Sequence, residues 1–307
     1  MKKILLFIVL LFLGIVNVNA SVNYVDYMSK NIVSNSYDRT QARYLQKELN
    51  MVMGCNLDTD GIVGNLTKNC VKNFQRAYGL VVDGLVGSAT RTKLNYLYGE
   101  DKVIVTANTL NIRNNPSTIG TTILGRVTKG NILTVLSVTN SNNKLWYYIR
   151  YNGIYGYVIS DYVRSTFVEV DIISQTLRLY KDSKLILDTP VTTGKADGQH
   201  DTNKGFFYAL FKDTDRYLKP SNSFVNYWVR FYDPRALGIH DANWRGSTVN
   251  YNYFGGTVYK SKNGEAGMKT TGSHGCVNVP VPKMPIIYAN VSASWTNTTI
   301  ATPVYVH

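Results

Sequence analysis

Several things are scarce in this chain. Of its 307 residues three are cysteine, four histidine and eight proline, and 20 acidic side chains face 33 basic ones. Three cysteines are too few for a dense disulfide framework, and an odd count leaves at least one thiol unpaired in an oxidising compartment. Four histidines leave few candidate bases or metal ligands. No phosphate-binding Gly loop precedes a helix, so nothing reads as a nucleotide site. Long apolar runs are absent after the first residues, and no later stretch is fit to cross a bilayer.

The early run is Ile4 to Val16, thirteen residues preceded by Lys2 and Lys3 and followed by small Val18 and Ala20. It predicts a secretory signal over 1–20, cut after Ala20. The alternative is an uncleaved anchor, for which the run is short of the roughly 20 residues a span requires. Residues 21–37 are polar and aperiodic and form a linker. The net charge is +13 with no dense Lys/Arg block. In an exported protein this favours wall polymers or lipid headgroups over nucleic acid, and names no single partner.

Next comes a helical pattern over 38–99. Asp38 and Gln41 make a capping box, Ala42, Leu45, Leu49 and Val52 recur at helical spacing, and Gly54 stops the helix. DGIVGNLT (60–67) and DGLVGSAT (83–90) repeat D-G-x-V-G-x-x-T at an offset of 23 residues. Each is an Asp-Gly turn leading into a helix. Leu66, Cys70 and Phe74 are predicted to share one face, continued by Leu94 and Leu97. Cys55 and Cys70 either bridge or remain buried thiols. Residues 102–165 change to short alternating β runs between Asn, Gly and Pro turns, which an open small barrel packs. Residues 166–307 are also β-rich, with a hairpin turn at Asp182-Ser183 and one helical stretch near Met284 to Val291.

Chemistry concentrates in TTGSHGCVNVP, 270–280. Cys276 is the candidate free thiol, and a thiol nucleophile needs a base or N–H dipoles to help it ionise. On a strand, His274, Cys276 and Asn278 share a face. The Gly275 N–H stays open, so that it and the Cys276 N–H are candidate oxyanion donors. The bases on offer are His274 and His240, in GIHDANWRG. His200 lies in a polar loop and His307 is terminal. His274 and Cys276 two residues apart fit no common zinc spacing, and Asp241 would have to be recruited, so neither metal nor cofactor is expected.

These segments resemble known families. LQKELN, the doubled D-G-x-V-G-x-x-T and NFQRAYGLVVDG resemble the peptidoglycan-binding type 1 domain, either binding or reduced to a spacer. LNIRNNPS, the Lys129-Gly130 turn, Trp146 and GYVISDYV resemble the bacterial SH3-like domain. There Trp146, Tyr147, Tyr148, Tyr151, Tyr155 and Tyr157 serve as core or as a ligand surface. VDIISQTLRLYKDSKLILDTPVTTGK, TNKGFFY, YWVRFYDPRALGIHDANWR, FGG and SHGCVNVP resemble the catalytic domain of L,D-transpeptidases, enzymes that crosslink peptidoglycan through a cysteine.

The resemblance implies a multidomain α+β chain: a three-helix module, an SH3-like β-barrel (102–165) and a mostly-β catalytic domain (166–307). It implies Cys276 as nucleophile, His240 as general base and acid, and His274 as an orienting neighbour. Ser273, Gly275 and Asn278 would line the donor site, and Arg245 would bind a stem-peptide carboxylate. The partners implied are peptidoglycan glycan, a donor tetrapeptide and an acceptor stem amine, at the wall or membrane after export. The implied product is a 3-3 crosslink. The alternatives are an L,D-carboxypeptidase, a lytic cysteine peptidase or a non-catalytic wall-binding protein. The stretch 246–272 is longer than in short family members and is expected to form a flap or hairpin.

Overall fold

The computed structural model describes residues 39–98, 100–219, 222–245, 254, 258–260, 266–268 and 272–307. The predicted signal, the linker and the Asp38 cap lie outside them, as does most of 246–272. The architecture is mixed α+β: a small helical part, then two β-rich parts.

The helices are α1 (Arg39–Met53), α2 (Asn65–Ala77) and α3 (Ser88–Tyr98). Leu45, Leu49, Cys70, Val71, Phe74, Leu94 and Leu97 close their core. Leu66 departs from the expectation, being 77% exposed. Because α2 begins at Asn65, its inward stripe is Thr67, Cys70, Val71 and Phe74, at 3.6-residue periodicity, and Leu66 falls outside it. Cys55 and Cys70 are bridged, and Cys276 is free.

The repeat has a physical reason. A buried glutamine from the preceding helix grips each turn. Gln46 Nε2 donates to Asp60 Oδ1 (2.8 Å) and the Ile62 carbonyl (3.0 Å), and its Oε1 accepts the Gly61 N–H (2.9 Å). Gln75 does the same with Asp83 Oδ1 (2.8 Å), the Leu85 carbonyl (2.9 Å) and the Gly84 N–H (2.9 Å). The repeat is thus a folding device that satisfies buried polar groups.

Seven strands follow: β1 (Lys102–Val105), β2 (Thr109–Arg113), β3 (Ile123–Thr128), β4 (Ile132–Ser141), β5 (Lys144–Tyr151), β6 (Ile154–Ile159) and β7 (Val163–Arg164). They form one sheet in the order β3-β2-β6-β5-β4-β1-β7. Their core holds Val103, Ile112, Leu133, Ile149 and Val158. Trp146 is buried, whereas Tyr155 is exposed.

The last part is a sandwich. Its first sheet takes β8 (Phe167–Asp171), β9 (Thr176–Lys181), β10 (Lys184–Pro190) and β11 (Gly205–Tyr208). The second takes β12 (Phe211–Leu218), β13 (Ser223–Tyr232) and β14 (Leu237–Asp241). A separate short antiparallel hairpin joins β15 (Val258–Lys260) and β16 (Ala266–Met268) within the long insertion. The second sheet is completed by β17 (Val277–Val279), then α4 (Met284–Asn290) follows, and β18 (Pro303–Val306) returns to the first sheet. The orders are β10-β9-β8-β18-β11 and β12-β13-β14-β17. The β9–β10 turn is Asp182-Ser183, both with positive φ (49° and 71°), as a two-residue hairpin requires.

Alternation sorts every strand. Val168, Val170, Leu177, Leu179, Val304 and Val306 of the first sheet meet Val229, Phe231, Leu237, Ile239, Val277 and Val279 of the second. The reverse face of the first sheet carries Phe167, Glu169, Arg178, Tyr180 and Tyr305. The front parts of the chain cover it. Tyr98, Ile104, Phe167, Tyr180 and Leu185 make one cluster, with Val52 and Ile132 packed against it. Lys47 of α1 pairs with Asp188 (3.6 Å) and bonds Thr176, and Tyr98 donates to Asp188 (2.7 Å).

Candidate active site

The reverse face of the second sheet is where the predicted residues meet. β14 pairs β13 antiparallel, with Trp228 opposite His240 and Arg230 opposite Gly238. It pairs β17 parallel, with His240 opposite Asn278. Cys276 immediately precedes β17, so the register sets it beside Gly238. The Gly238 backbone N–H draws the thiol pKa down from there. Paired residues share a face, so His240 and Asn278 project together, while Cys276, one residue before β17, also packs against the edge of the inter-sheet core.

His240 is buried and its hydrogen bonds fix its tautomer. Nδ1 lies 2.7 Å from the Asp241 carbonyl, which only accepts, so Nδ1 carries the proton. Nε2 lies 3.1 Å from Asn278 Nδ2 and accepts from it. Asn278 Oδ1 in turn accepts Arg245 Nε at 2.7 Å, which sets the amide's orientation. The ring is stacked on Trp228 (5.3 Å between centroids, 11°) and tilted against Trp244 (5.8 Å). The Asp241 carboxylate points to the other face, where it accepts the N–H groups of Asn226 (3.1 Å) and Tyr227 (2.7 Å). Its carbonyl bonds the imidazole, and the carboxylate acts on it only through its charge.

The electrostatics describe a neutral pair. Burial, opposed in part by the bond to the Asp241 carbonyl, holds His240 down at about 4. Burial pushes the Cys276 thiol up to about 11, against the pull of the Gly238 N–H and of Arg235 and Arg230. Cys276 keeps partial residue exposure, yet desolvation of its sulfur outweighs those three attractions. At neutral pH the proton therefore rests on sulfur.

Two further expectations change. Residues 274–276 form a bend, because Gly275 adopts φ +110°. A Cβ there would sit 2.9 Å from Leu237 Cδ2 and 3.0 Å from the Asp201 carbonyl. The bend breaks alternation, so His274 does not share the face of Cys276 by strand geometry. His274 is exposed and packs on His200 (4.8 Å). Burial and then the charges of His200 and Lys195 lower its pKa. The Gly275 N–H is not open either: Ser273 Oγ accepts it at 3.0 Å, while the same hydroxyl donates to the Cys276 carbonyl at 2.5 Å.

A family model for the L,D-transpeptidase catalytic domain matches residues 165–306. Models for a bacterial SH3 domain and a peptidoglycan binding domain match 108–164 and 38–94. The catalytic domain of an L,D-transpeptidase from E. faecium is 32% identical, covering 46% of this chain and 96% of that one (TM-score 0.34). The chain belongs to the L,D-transpeptidase family. An L,D-transpeptidase from Stackebrandtia nassauensis is 16% identical over 91% of this chain and 96% of that one (TM-score 0.35). A zinc D-Ala-D-Ala carboxypeptidase from Streptomyces albus G is 46% identical over 48 residues, 16% of this chain and 19% of that protein. This chain thus spans about a fifth of that curated relative.

Sequence reading missed the supports of the L,D-transpeptidase site. Gly238 is required because a Cβ would lie 2.6 Å from Trp228 Cζ2. Gln175 holds Thr193 by its amide (2.8 Å to the N–H, 2.6 Å to Oγ1), and Thr192 exchanges backbone bonds with Asn278 (3.0 and 2.9 Å). Thr202 links Gly194 to the Gly275 carbonyl, 2.8 Å each. Arg235 ties the Asp201 carbonyl (2.8 Å) and Asn203 (3.1 Å) to the β13–β14 turn. Alternation in NYWVRFY signals that Trp228 and Arg230 share a face. No sequence signal names the strand they oppose.

Proposed function

We propose that this chain is an exported L,D-transpeptidase that forms 3-3 crosslinks through a Cys276 thioester. Its domain families imply interaction with peptidoglycan and an extracytoplasmic location at the wall. Export through residues 1–20 and boundaries at 38–99, 102–165 and 166–307 belong to the same proposal. The observation that carries it is the neutral His240, whose protonated Nδ1 leaves Nε2 as the basic nitrogen, one that exchanges the Asn278 Nδ2 donor (3.1 Å) for the thiol when it acts as base.

His240 Nε2 takes the thiol proton as the sulfur attacks the carbonyl joining the third and fourth stem residues. The C–N bond breaks, and the imidazolium returns the proton to the departing D-alanine amine. The acceptor amine then attacks the thioester and gives its proton to His240. The C–S bond breaks, and the sulfur recovers a proton. Asn278 and Arg245 hold the imidazole's plane. Ser273 and Gly275 shape the bend and the donor site, and His274 contacts substrate from the rim.

The test is incubation with purified tetrapeptide muropeptides followed by mass analysis. Loss of D-alanine with a covalent adduct on Cys276, then 3-3 dimers, supports the proposal. Shortened stems alone indicate hydrolysis, and an adduct that persists in Cys276→Ala refutes the role of the thiol.

A further inference from the structure

The face that carries His240 and Cys276 also carries two donors with nothing to donate to. Cross-strand pairing lays it out in rows. One row is Phe211, Arg230 and Gly238, extended to Cys276, and the next is Asp213, Trp228, His240 and Asn278. In the first row Gly238 has no side chain, and the indole edge of Trp228 lies over it. Trp228 is 3% exposed, and neither its Nε1 nor Arg230 Nε has a hydrogen-bond partner among the described residues. Buried donors are normally satisfied, so two together on a catalytic face call for an acceptor from outside.

We propose that Arg230, backed by Trp228, reads the free C-terminal carboxylate of the acyl donor. The proposal rests on the acyl-transfer reading of the site and deepens it. A guanidinium is planar, permanently charged and matched to a carboxylate by its forked donors. Arg230 is held in place by stacking against Trp295 (5.7 Å). Its contact with Asp233 (3.4 Å) leaves the charge available, because that carboxylate is 57% exposed and screened by water. A fifth of the Arg230 side chain remains accessible, so a ligand reaches it from solvent.

The scissile bond lies between the third and fourth stem residues, so the carboxylate sits one residue beyond the attacked carbonyl. Arg230 stands two strands from Cys276, about 10 Å between backbones, a gap an extended arginine largely spans. Other cations stand near the site, but Arg245 gives its Nε to Asn278, Arg235 is spent on the Asp201 carbonyl and Asn203, and Arg216 pairs with Asp213 (3.0 Å).

The experiment measures protection of Cys276 from iodoacetamide by a synthetic tetrapeptide stem ending in D-alanine and by its C-terminal amide. In the unaltered protein the acid is expected to protect at a concentration at least tenfold lower than the amide. Arg230→Met should abolish that gap, Arg230→Lys should restore part of it, and Arg245→Met should leave it intact. Thermal melting of each variant separates misfolding from lost recognition. Equal protection by both forms, protection by neither, or a gap that survives Arg230→Met overturns the assignment. If the acid protects selectively yet forms no thioester, acyl transfer fails while the carboxylate assignment stands. If acid and amide form the thioester at equal rates, the reverse holds.

Discussion

The catalytic sandwich turns two polar faces outward, and they have opposite fates. On the first sheet Glu169 meets Arg178 (2.8 Å) and His307 (3.0 Å), Arg178 donates to Tyr98 (2.6 Å), and Lys47 pairs with Asp188. The front parts of the chain seal this face, so it is buried on both sides. On the second sheet His240, Asn278 and Arg245 are linked, but Trp228 and Arg230 keep buried donors unused. Paired charges fix how the parts dock, even though Glu169 Oε2, Tyr180 Oη and Asp188 Oδ1 also lack hydrogen-bond partners there among the described residues. Unsatisfied donors beside a thiol mark where something else binds.

The largest way to break this contrast is His240→Ala. Removing the base should slow acylation of Cys276 by about 10²–10⁴-fold, read by adduct formation over time. The pH dependence of thiol alkylation sharpens the description of the open face. With the thiol raised to about 11, the thiolate fraction climbs with pH throughout the neutral range. Alkylation should rise roughly tenfold per pH unit from 7 to 10 with no plateau near 7. A plateau at neutral pH would mean a preformed ion pair.

The sealed face should respond in stability instead. Arg178→Met leaves Glu169 buried without its cation and should cost about 3–5 kcal/mol in urea denaturation. The surviving folded protein should retain its rate of Cys276 alkylation. Gln75→Leu strands the buried Gly84 N–H in the second repeat, for about 1–3 kcal/mol and again no change at the thiol. The smallest effect is expected at Leu66→Ser. An exposed residue in the first turn of α2 should shift the unfolding midpoint by less than about 0.5 kcal/mol, whereas a larger loss would place Leu66 in the core.

Much of the site was legible because it is written contiguously. S-H-G-C-V-N carries the thiol and Asn278, and G-I-H-D carries the imidazole, so local motif and family resemblance sufficed to nominate them. The strand reading that put His274 on the face of Cys276 fails for a local reason with a long-range cause. Gly275 takes positive φ because Leu237 and Asp201 crowd the position a Cβ would occupy, and those residues are distant in sequence. The repeat was seen, but its glutamines were not, since Gln46 and Gln75 lie outside the repeated octets.

The sequence by itself determined the order of the three parts, the periodicity of their cores and that at least one of three cysteines stays unpaired, and it nominated Cys276 as that thiol with His240 as its base. Tertiary structure alone decided which tautomer His240 holds, that thiol and imidazole rest uncharged, and that the alternating Glu169 and Arg178 face protein rather than water. Those outcomes depend on which strand lies beside which and on how much solvent is excluded, and neither quantity is local to the chain.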